Sequence, residues 1–120
     1  MIIMLIVIFV SFYQTYRNGG WTYNQYAYFP TNLTSVVLTD ERRIGYDAFV
    51  GCWSLTNVTL NSGMVSIGDY AFYNNPWYNG LTDEFVIGGD NVLIKYNGTK
   101  SGVTIPETVK SIAGGVFKAP

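Results

Sequence analysis

Short stretches of alternating apolar and polar residues return along the chain at a nearly fixed interval. Residues 44–49 read IGYDAF and residues 67–72 read IGDYAF, a displacement of 23 positions. The stretches 33–38 and 55–60 read LTSVVL and LTNVTL and lie 22 positions apart. A weaker copy of the first motif, IAGGVF, occupies residues 112–117. This periodicity predicts a solenoid, in which successive units bury their apolar faces against each other.

The internal pattern of one unit predicts two short strands joined by a tight corner. Residues 58–67 align without gaps on residues 103–112, with apolar residues at shared positions and turn-forming residues between them. Alternation within each stretch is typical of strands, and the Asn-Ser-Gly or Pro residues between them are typical of corners. The Ala-Phe pair that follows predicts a short helical turn opposite the strands.

The most regular unit resembles a known repeat. Residues 44–60 follow the pattern I-G-x-x-A-F-x-x-C-x-x-L-x-x-V-x-L, with Cys52 and Leu55 in place. This resembles the BspA-like, or treponemal-type, leucine-rich repeat, and the resemblance covers about residues 33–117. It implies a mainly β fold: a right-handed, leucine-rich-repeat-like solenoid of about 22–23-residue units with short helical turns. Asn75 departs from the pattern, since it stands where the unit has Cys.

The resemblance also implies a function. Members of this family are mostly secreted or cell-surface proteins that act in adhesion and protein binding. The chain is therefore expected to be a non-catalytic binding or adhesion module, located at the cell surface or secreted. Its expected partner is a protein, either a host or a self surface protein, and a glycan is the second possibility.

The chain divides into three predicted segments. Residues 1–13 are apolar and too short to span a bilayer as a helix, which needs about 20 residues. They are predicted to be an export signal or the remnant of a membrane anchor, or else a strand. A membrane contact is expected only through this segment, and only if it is an anchor. Residues 14–32 are rich in aromatics and are expected to cap the repeats; a ligand-binding lip and a disordered linker are alternatives. Residues 33–120 form the repeats, with a hairpin-like insertion at about 84–98 and a truncated C-terminus.

Composition excludes several functional classes. The net charge is −1 with 7 Lys and Arg, so no basic stripe is present to hold nucleic acid. The chain has no His, which excludes Ser-His-Asp and Cys-His catalysis. With a single Cys, neither a structural zinc site nor an internal disulfide is expected. We therefore expect no enzyme activity, no cofactor and no metal, and we expect Cys52 to pack in the core.

Two further functions are compatible with the sequence. The chain ends before the next strand-like stretch, so an open repeat face could make it a structural unit that assembles end to end. The aromatic residues between positions 13 and 29 could instead make it a carbohydrate-binding accessory segment of a larger enzyme.

The register of the repeats predicts both the core and the exposed face. Three columns of stacked side chains are expected in the core: Phe49, Phe72 and Phe117; Ile44, Ile67 and Ile112; Leu38, Leu60 and Ile105. Residues that flank the inward-facing valine of each strand should point outward in parallel rows. The predicted partner-binding residues are Ser35, Val37, Asn57, Thr59, Glu84, Val86 and Thr104.

Overall fold

The computed structural model describes residues 4–6 and 33–117 of the chain. This part is mainly β, as predicted, with short strands and one helix of a single turn. The strands are β1 (Met4–Ile6), β2 (Ser35–Leu38), β3 (Arg43–Ile44), β4 (Asn57–Leu60), β5 (Ser66–Ile67), β6 (Phe85–Gly88), β7 (Val92–Tyr96) and β8 (Ser111–Ile112), and the helix is α1 (Pro76–Asn79). They form three small sheets, ordered β1-β2-β4, β3-β5 and β6-β7-β8.

Equivalent strands of successive repeats pair in parallel. Strand β2 lies beside β4 with Ser35 opposite Asn57 and Leu38 opposite Leu60. Strand β3 lies beside β5 with Ile44 opposite Ile67. These pairings join residues 22 and 23 positions apart, which are the intervals of the sequence repeat. The first two units are thus hydrogen-bonded to each other in the register that the repeated motifs predict.

The N-terminal segment contributes one strand to the first sheet. Strand β1 pairs in parallel with β2, with Met4 opposite Ser35 and Ile6 opposite Val37. The export or anchor role of residues 1–13 stays a prediction. The predicted cap at residues 14–32 lies outside the described residues.

The core is built from the apolar positions of the repeats. The rings of Phe49 and Phe72 stack with their centroids 5.4 Å apart and their planes 4° from parallel. Both rings are buried, as are Ile44 and Ile67, so the first two members of these columns are confirmed. The buried apolar cluster comprises Leu33, Val36, Leu38, Ile44, Ala48, Phe49, Cys52, Leu55, Met64, Ile67, Ala71, Phe72, Val92, Ile94 and Ala113.

The predicted third members of two columns are wrong. Phe117 is 47% exposed and lies against Tyr96, with ring centroids 5.4 Å apart. Ile112 is 46% exposed, whereas its neighbour Ala113 is buried. The amide of Gly114 donates to the Ile67 carbonyl at 2.8 Å, as the amide of Gly68 does to the Ile44 carbonyl. The third copy therefore keeps the turn of the motif but pairs with the second repeat one residue out of the register that the first two units share.

The inserted hairpin explains this displacement. Strands β6 and β7 pair antiparallel, and β7 then pairs in parallel with β8, Leu93 lying opposite Ile112. Val92 and Ile94 of β7 are buried in the core cluster. Meanwhile Trp77 packs edge-on against Phe72 at 4.9 Å and covers that ring. The hairpin and helix α1 thus occupy space that a regular third unit would fill.

Lys95 and Asn97 fasten the hairpin to the loop after α1. The Lys95 ammonium donates to the carbonyls of Tyr78 and Leu81 at 2.9 and 3.1 Å and lies 4.9 Å from the centre of the Tyr78 ring. The Asn97 amide donates to the carbonyls of Leu81 and Asp83. Partial burial lowers the pKa of Lys95. These bonds fix the position of Tyr78.

Left-handed backbone conformations recur with the repeat. Asp47 and Tyr70 have φ angles of 59° and 60°, and Gly51 and Asn74 have 87° and 62°. Each pair is 23 positions apart, so the same corners are built in both units. Such angles favour Gly and Asn and are costly for a bulky residue such as Tyr.

The Cys position of the repeat is filled in the second unit by a buried asparagine. The Asn75 side chain is fully buried, and its Nδ2 donates to the Phe49 carbonyl at 3.3 Å. Its Oδ1 has no partner within the described residues. The Phe49 carbonyl also accepts the Cys52 amide at 3.2 Å, so it does not depend on Asn75.

Removal of the stacked ring should unfold much of the domain. We expect Phe72→Ala to lower the free energy of unfolding by roughly 3–5 kcal/mol, because it leaves a cavity against Phe49 and Trp77. Phe117→Ala should cost much less, since that ring is half-exposed. Urea denaturation followed by circular dichroism measures both changes. Equal losses in the two variants would contradict the burial described.

Asn75→Cys should stabilise the protein. The change removes an unpaired buried oxygen and leaves the Phe49 carbonyl bonded, so we expect the free energy of unfolding to rise by about 1 kcal/mol. Asn75→Asp is the matched control. Because it places a carboxylate at the same buried position, it should destabilise the protein at neutral pH. Thermal denaturation under reducing conditions compares the three proteins. A less stable Cys variant would show that the amide bond to Phe49 outweighs the orphaned oxygen.

Candidate functional site

Four of the seven predicted partner-binding residues lie together on one face of the first sheet. The β2–β4 register sets Ser35 beside Asn57 and Val37 beside Thr59. Asn57 and Thr59 are exposed, and Ser35 and Val37 are half-buried. The Asn57 Nδ2 lies 3.5 Å from the Ser35 Oγ. We call these four residues the strand face.

The other three predicted residues lie elsewhere. Glu84 directly precedes β6, and Val86 lies within β6 and is partly buried against the core. Thr104 is exposed in a stretch without strand structure. None of the three belongs to the β1-β2-β4 sheet, because the hairpin pairs with β8 in a sheet of its own. The predicted continuous row is therefore limited to the strand face, and a binding role for any of the seven stays a prediction.

A second surface is made of exposed tyrosines. The rings of Tyr46 and Tyr70 meet edge-to-face at 6.4 Å and 67°, and those of Tyr70 and Tyr73 at 5.5 Å and 81°. All three side chains are exposed. Sequence reasoning assigned aromatic recognition to positions 13–29, which lie outside the described residues, and missed this row. One sequence signal could have predicted this row of tyrosines. Both IGYDAF and IGDYAF contain an adjacent Tyr and Asp between their apolar positions.

The tyrosine row borders a groove of about 400 Å³. Among the described residues, no charged side chain lines the groove. Its walls are the second repeat, the end of β7, the Tyr78 ring and the start of the third copy. We call it the tyrosine groove, and its lining residues are Ile67, Gly68, Tyr70, Ala71, Phe72, Tyr73, Tyr78, Ile94, Ala113, Gly114 and Gly115.

Two glycines line one side of the groove, and a carboxylate lies at its edge. A Cβ at position 114 would collide with the Asp69 carboxylate and would lie 2.6 Å from the Asp69 backbone nitrogen. Gly115 adopts a φ of 82°, and a Cβ there would meet open space. The Asp69 carboxylate therefore lies directly over Gly114, at the edge of the groove.

Burial perturbs several ionisable groups near these surfaces. Desolvation raises the pKa of Asp47, and a hydrogen bond with the Tyr46 side chain partly offsets this shift. Burial also raises the pKa of Tyr78, whose hydroxyl donates to the Ile94 carbonyl at 3.3 Å. Burial raises the pKa of the Cys52 thiol to about 11, so the thiol stays protonated at neutral pH. A buried thiol of this kind is a poor nucleophile and acts as a small apolar core residue.

The described residues contain neither a cluster of metal-ligating side chains nor a membrane-spanning helix. Within residues 4–6 and 33–117, no three acidic, Cys or His side chains converge to hold a metal ion. No helix in the same part of the chain has the length and apolar character that crossing a membrane requires.

Comparison with known proteins identifies the repeat. No curated protein and no solved structure is significantly similar to the chain. The sequence model of the BspA type leucine-rich repeat region matches residues 22–119 in 6 copies. This match spans most of the chain, and it confirms the resemblance carried by the IGxxAF motifs. Leucine-rich repeats generally mediate protein interactions and are generally not catalytic. The chain belongs to the BspA-type leucine-rich repeat family.

Proposed function

We propose that the chain is a non-catalytic protein-binding or adhesion module of a surface or secreted leucine-rich-repeat protein, with its units stacked as a right-handed solenoid. One observation carries the proposal: the first two repeats pair in parallel and in register, as Ser35 with Asn57 and Val37 with Thr59. Repetition of this kind sets equivalent side chains in rows and produces an extended surface. Such a surface suits recognition of a protein better than catalysis on a small substrate.

The chemistry of the strand face favours an uncharged contact. Its four side chains offer hydroxyl, amide and methyl groups, and none of them carries a charge. Hydrogen bonds and modest apolar contacts would hold a partner here, and charge steering would contribute little. Binding at the strand face should therefore depend weakly on salt concentration.

The strand face can be blocked without unfolding the protein. We expect the double variant Asn57→Lys, Thr59→Lys to keep its stability within roughly 0.5 kcal/mol, because both side chains are exposed. The same variant should lose its partner, since two lysines would stand on the contact surface. The measurement is binding of the immobilised chain to an array of purified extracellular proteins, with thermal denaturation as the check on folding.

A charge-matched control completes this experiment. The double variant Thr99→Lys, Ser101→Lys adds the same charge at exposed positions away from the strand face and should bind as the unmodified chain does. If the well-folded strand-face variant captured the same protein with unchanged affinity, the binding site would lie elsewhere.

A second candidate function is end-to-end assembly of the repeats. Ile112 and Phe117 are half-exposed, whereas the equivalent Ile67 and Phe72 are buried under the following structure. Exposed apolar groups of this kind are typical of contact surfaces. A further repeat from a second copy would cover them as the hairpin and α1 cover the second unit. The carbohydrate-binding alternative depends on residues 13–29 and stays a prediction.

If the chain assembles end to end, its average mass in solution should rise with protein concentration. Sedimentation of the purified chain should then show oligomers that Ile112→Lys together with Phe117→Lys abolishes, because charges would be placed in the apolar contact. Trp53→Lys is the control, since Trp53 is an exposed aromatic residue outside this face. A chain that stays monomeric at all concentrations rules out the assembly function and leaves the binding module unaffected.

A further inference from the structure

We propose that Asn57 is an acceptor for an N-linked glycan. The chain contains three Asn-x-Thr triplets, the acceptor sequence of this modification, at residues 32–34, 57–59 and 97–99. The inference rests on the surface or secreted location in the proposed function, because N-linked glycans are added to chains that enter the secretory route. It goes beyond that function, since it assigns a covalent modification to one residue of the strand face.

Strand β4 displays both residues that the modification requires. Asn57 and Thr59 are exposed, whereas Val58 between them packs against the core. Residues two apart in a strand lie on the same side of the sheet. The amide of Asn57 and the hydroxyl of Thr59 therefore stand next to each other on the outer surface of the folded domain.

The Asn57 amide nitrogen makes only weak contacts. Its Nδ2 lies 3.5 Å from the Ser35 Oγ and 3.5 Å from the Thr56 Oγ1. Both distances exceed the range of about 2.7–3.2 Å that is typical of an N–H···O hydrogen bond. A glycan replaces one of the two hydrogens on Nδ2, so the folded protein would give up at most one weak contact.

Asn97 has the same acceptor sequence but a different environment. It is exposed, yet its Nδ2 donates to the Leu81 carbonyl at 2.9 Å and to the Asp83 carbonyl at 2.7 Å. A glycan would leave one hydrogen for two acceptors and would remove a bond that fastens the hairpin. In the third triplet, Asn32 lies outside the described residues and Leu33 is fully buried. Of the two described asparagines, the fold tolerates a glycan better at Asn57.

The modification is a transfer of a sugar chain to the amide nitrogen. The donor is an oligosaccharide linked through pyrophosphate to a lipid, and the catalyst is the oligosaccharide transferase of the secretory route. The Asn57 Nδ2 bonds to the anomeric carbon of the first sugar, while the bond from that carbon to the pyrophosphate oxygen breaks. The lipid pyrophosphate leaves with the electron pair, and Nδ2 loses one proton. The product is a neutral amide that keeps one N–H.

A glycan at Asn57 would regulate the strand face. Asn57 lies opposite Ser35 in the β2–β4 register, and Thr59 is exposed on the same side of β4. A bulky, hydrated sugar chain attached between these side chains would cover them. The glycosylated chain should therefore not bind a partner at the strand face, whereas the bare chain should.

Mapping of occupied asparagines tests the proposal. The full chain is directed into the secretory route of a eukaryotic cell line by a cleavable secretion signal, and the folded, secreted protein is purified. Enzymatic release of N-linked glycans in water labelled with heavy oxygen converts each occupied asparagine into a labelled aspartate. Mass spectrometry of the peptides should show the label at Asn57 in most molecules and at Asn97 in few.

Two matched variants assign the label. Thr59→Ala removes the hydroxyl that the acceptor sequence requires and should abolish the label at Asn57, whereas Thr99→Ala should leave it unchanged. Both threonines are exposed, so both variants should fold, which circular dichroism checks. An unlabelled Asn57, a label at Asn57 that survives Thr59→Ala, or higher occupancy at Asn97 than at Asn57 would overturn the proposed acceptor.

A comparison of bare and glycosylated chains separates this inference from the proposed function. The bare form is produced in the bacterial cytoplasm, and both forms are tested on the array of extracellular proteins. Capture by the bare form alone would support regulation through Asn57, and equal capture by both forms would overturn it. Capture by neither form would contradict the binding function, while the mass measurement would still decide whether Asn57 is an acceptor.

Discussion

The structure depends on the backbone register between successive repeats. The Gly68 amide meets the Ile44 carbonyl, and the Phe49 amide meets the Ala71 carbonyl, so one unit is hydrogen-bonded to the next at both ends of the IGxxAF motif. A Cβ at Gly68 would stand 2.6 Å from the Tyr46 amide nitrogen, which shows how closely the backbones approach. With this register fixed, the paired phenylalanines can only stack and the paired isoleucines can only face inward. The rows of exposed side chains follow from the same constraint.

The inserted hairpin interrupts this regularity and creates the groove. Strand β7 brings Val92 and Ile94 into the core and carries β8 beside it, which displaces the third copy by one residue. A regular unit would have set a large side chain against the second repeat. Here the third copy presents Ala113, Gly114 and Gly115 instead, and the space between them and Tyr70 stays open. Regular pairing thus builds the strand face, and its interruption builds the tyrosine groove.

The sequence predicts the structural features that repeat at a fixed interval. The prediction fails where a tertiary contact overrides that interval. The family, the mainly β class and the pairing of the first two units follow from motifs repeated at 22 and 23 positions. The burial of Ala113 rather than Ile112 could not be read from IAGGVF, because the choice depends on where β7 lies. The strand face was predictable, since its residues flank the inward valines. The tyrosine groove was not, because its walls come from segments more than 40 positions apart, from Ile67 to Gly115.

The left-handed backbone at Tyr70 has a consequence for how this chain can vary. A non-glycine residue in that conformation costs roughly 1–2 kcal/mol, whereas the Tyr70 ring contacts the rings of Tyr46 and Tyr73. Asp47, at the same corner of the preceding unit, is a residue type that tolerates this conformation better. By backbone preference alone, Asn, Asp or Gly would suit position 70 better than Tyr. A substitution of Tyr70 by one of these residues would therefore relax the backbone at this corner and, at the same time, remove the ring contacts with Tyr46 and Tyr73.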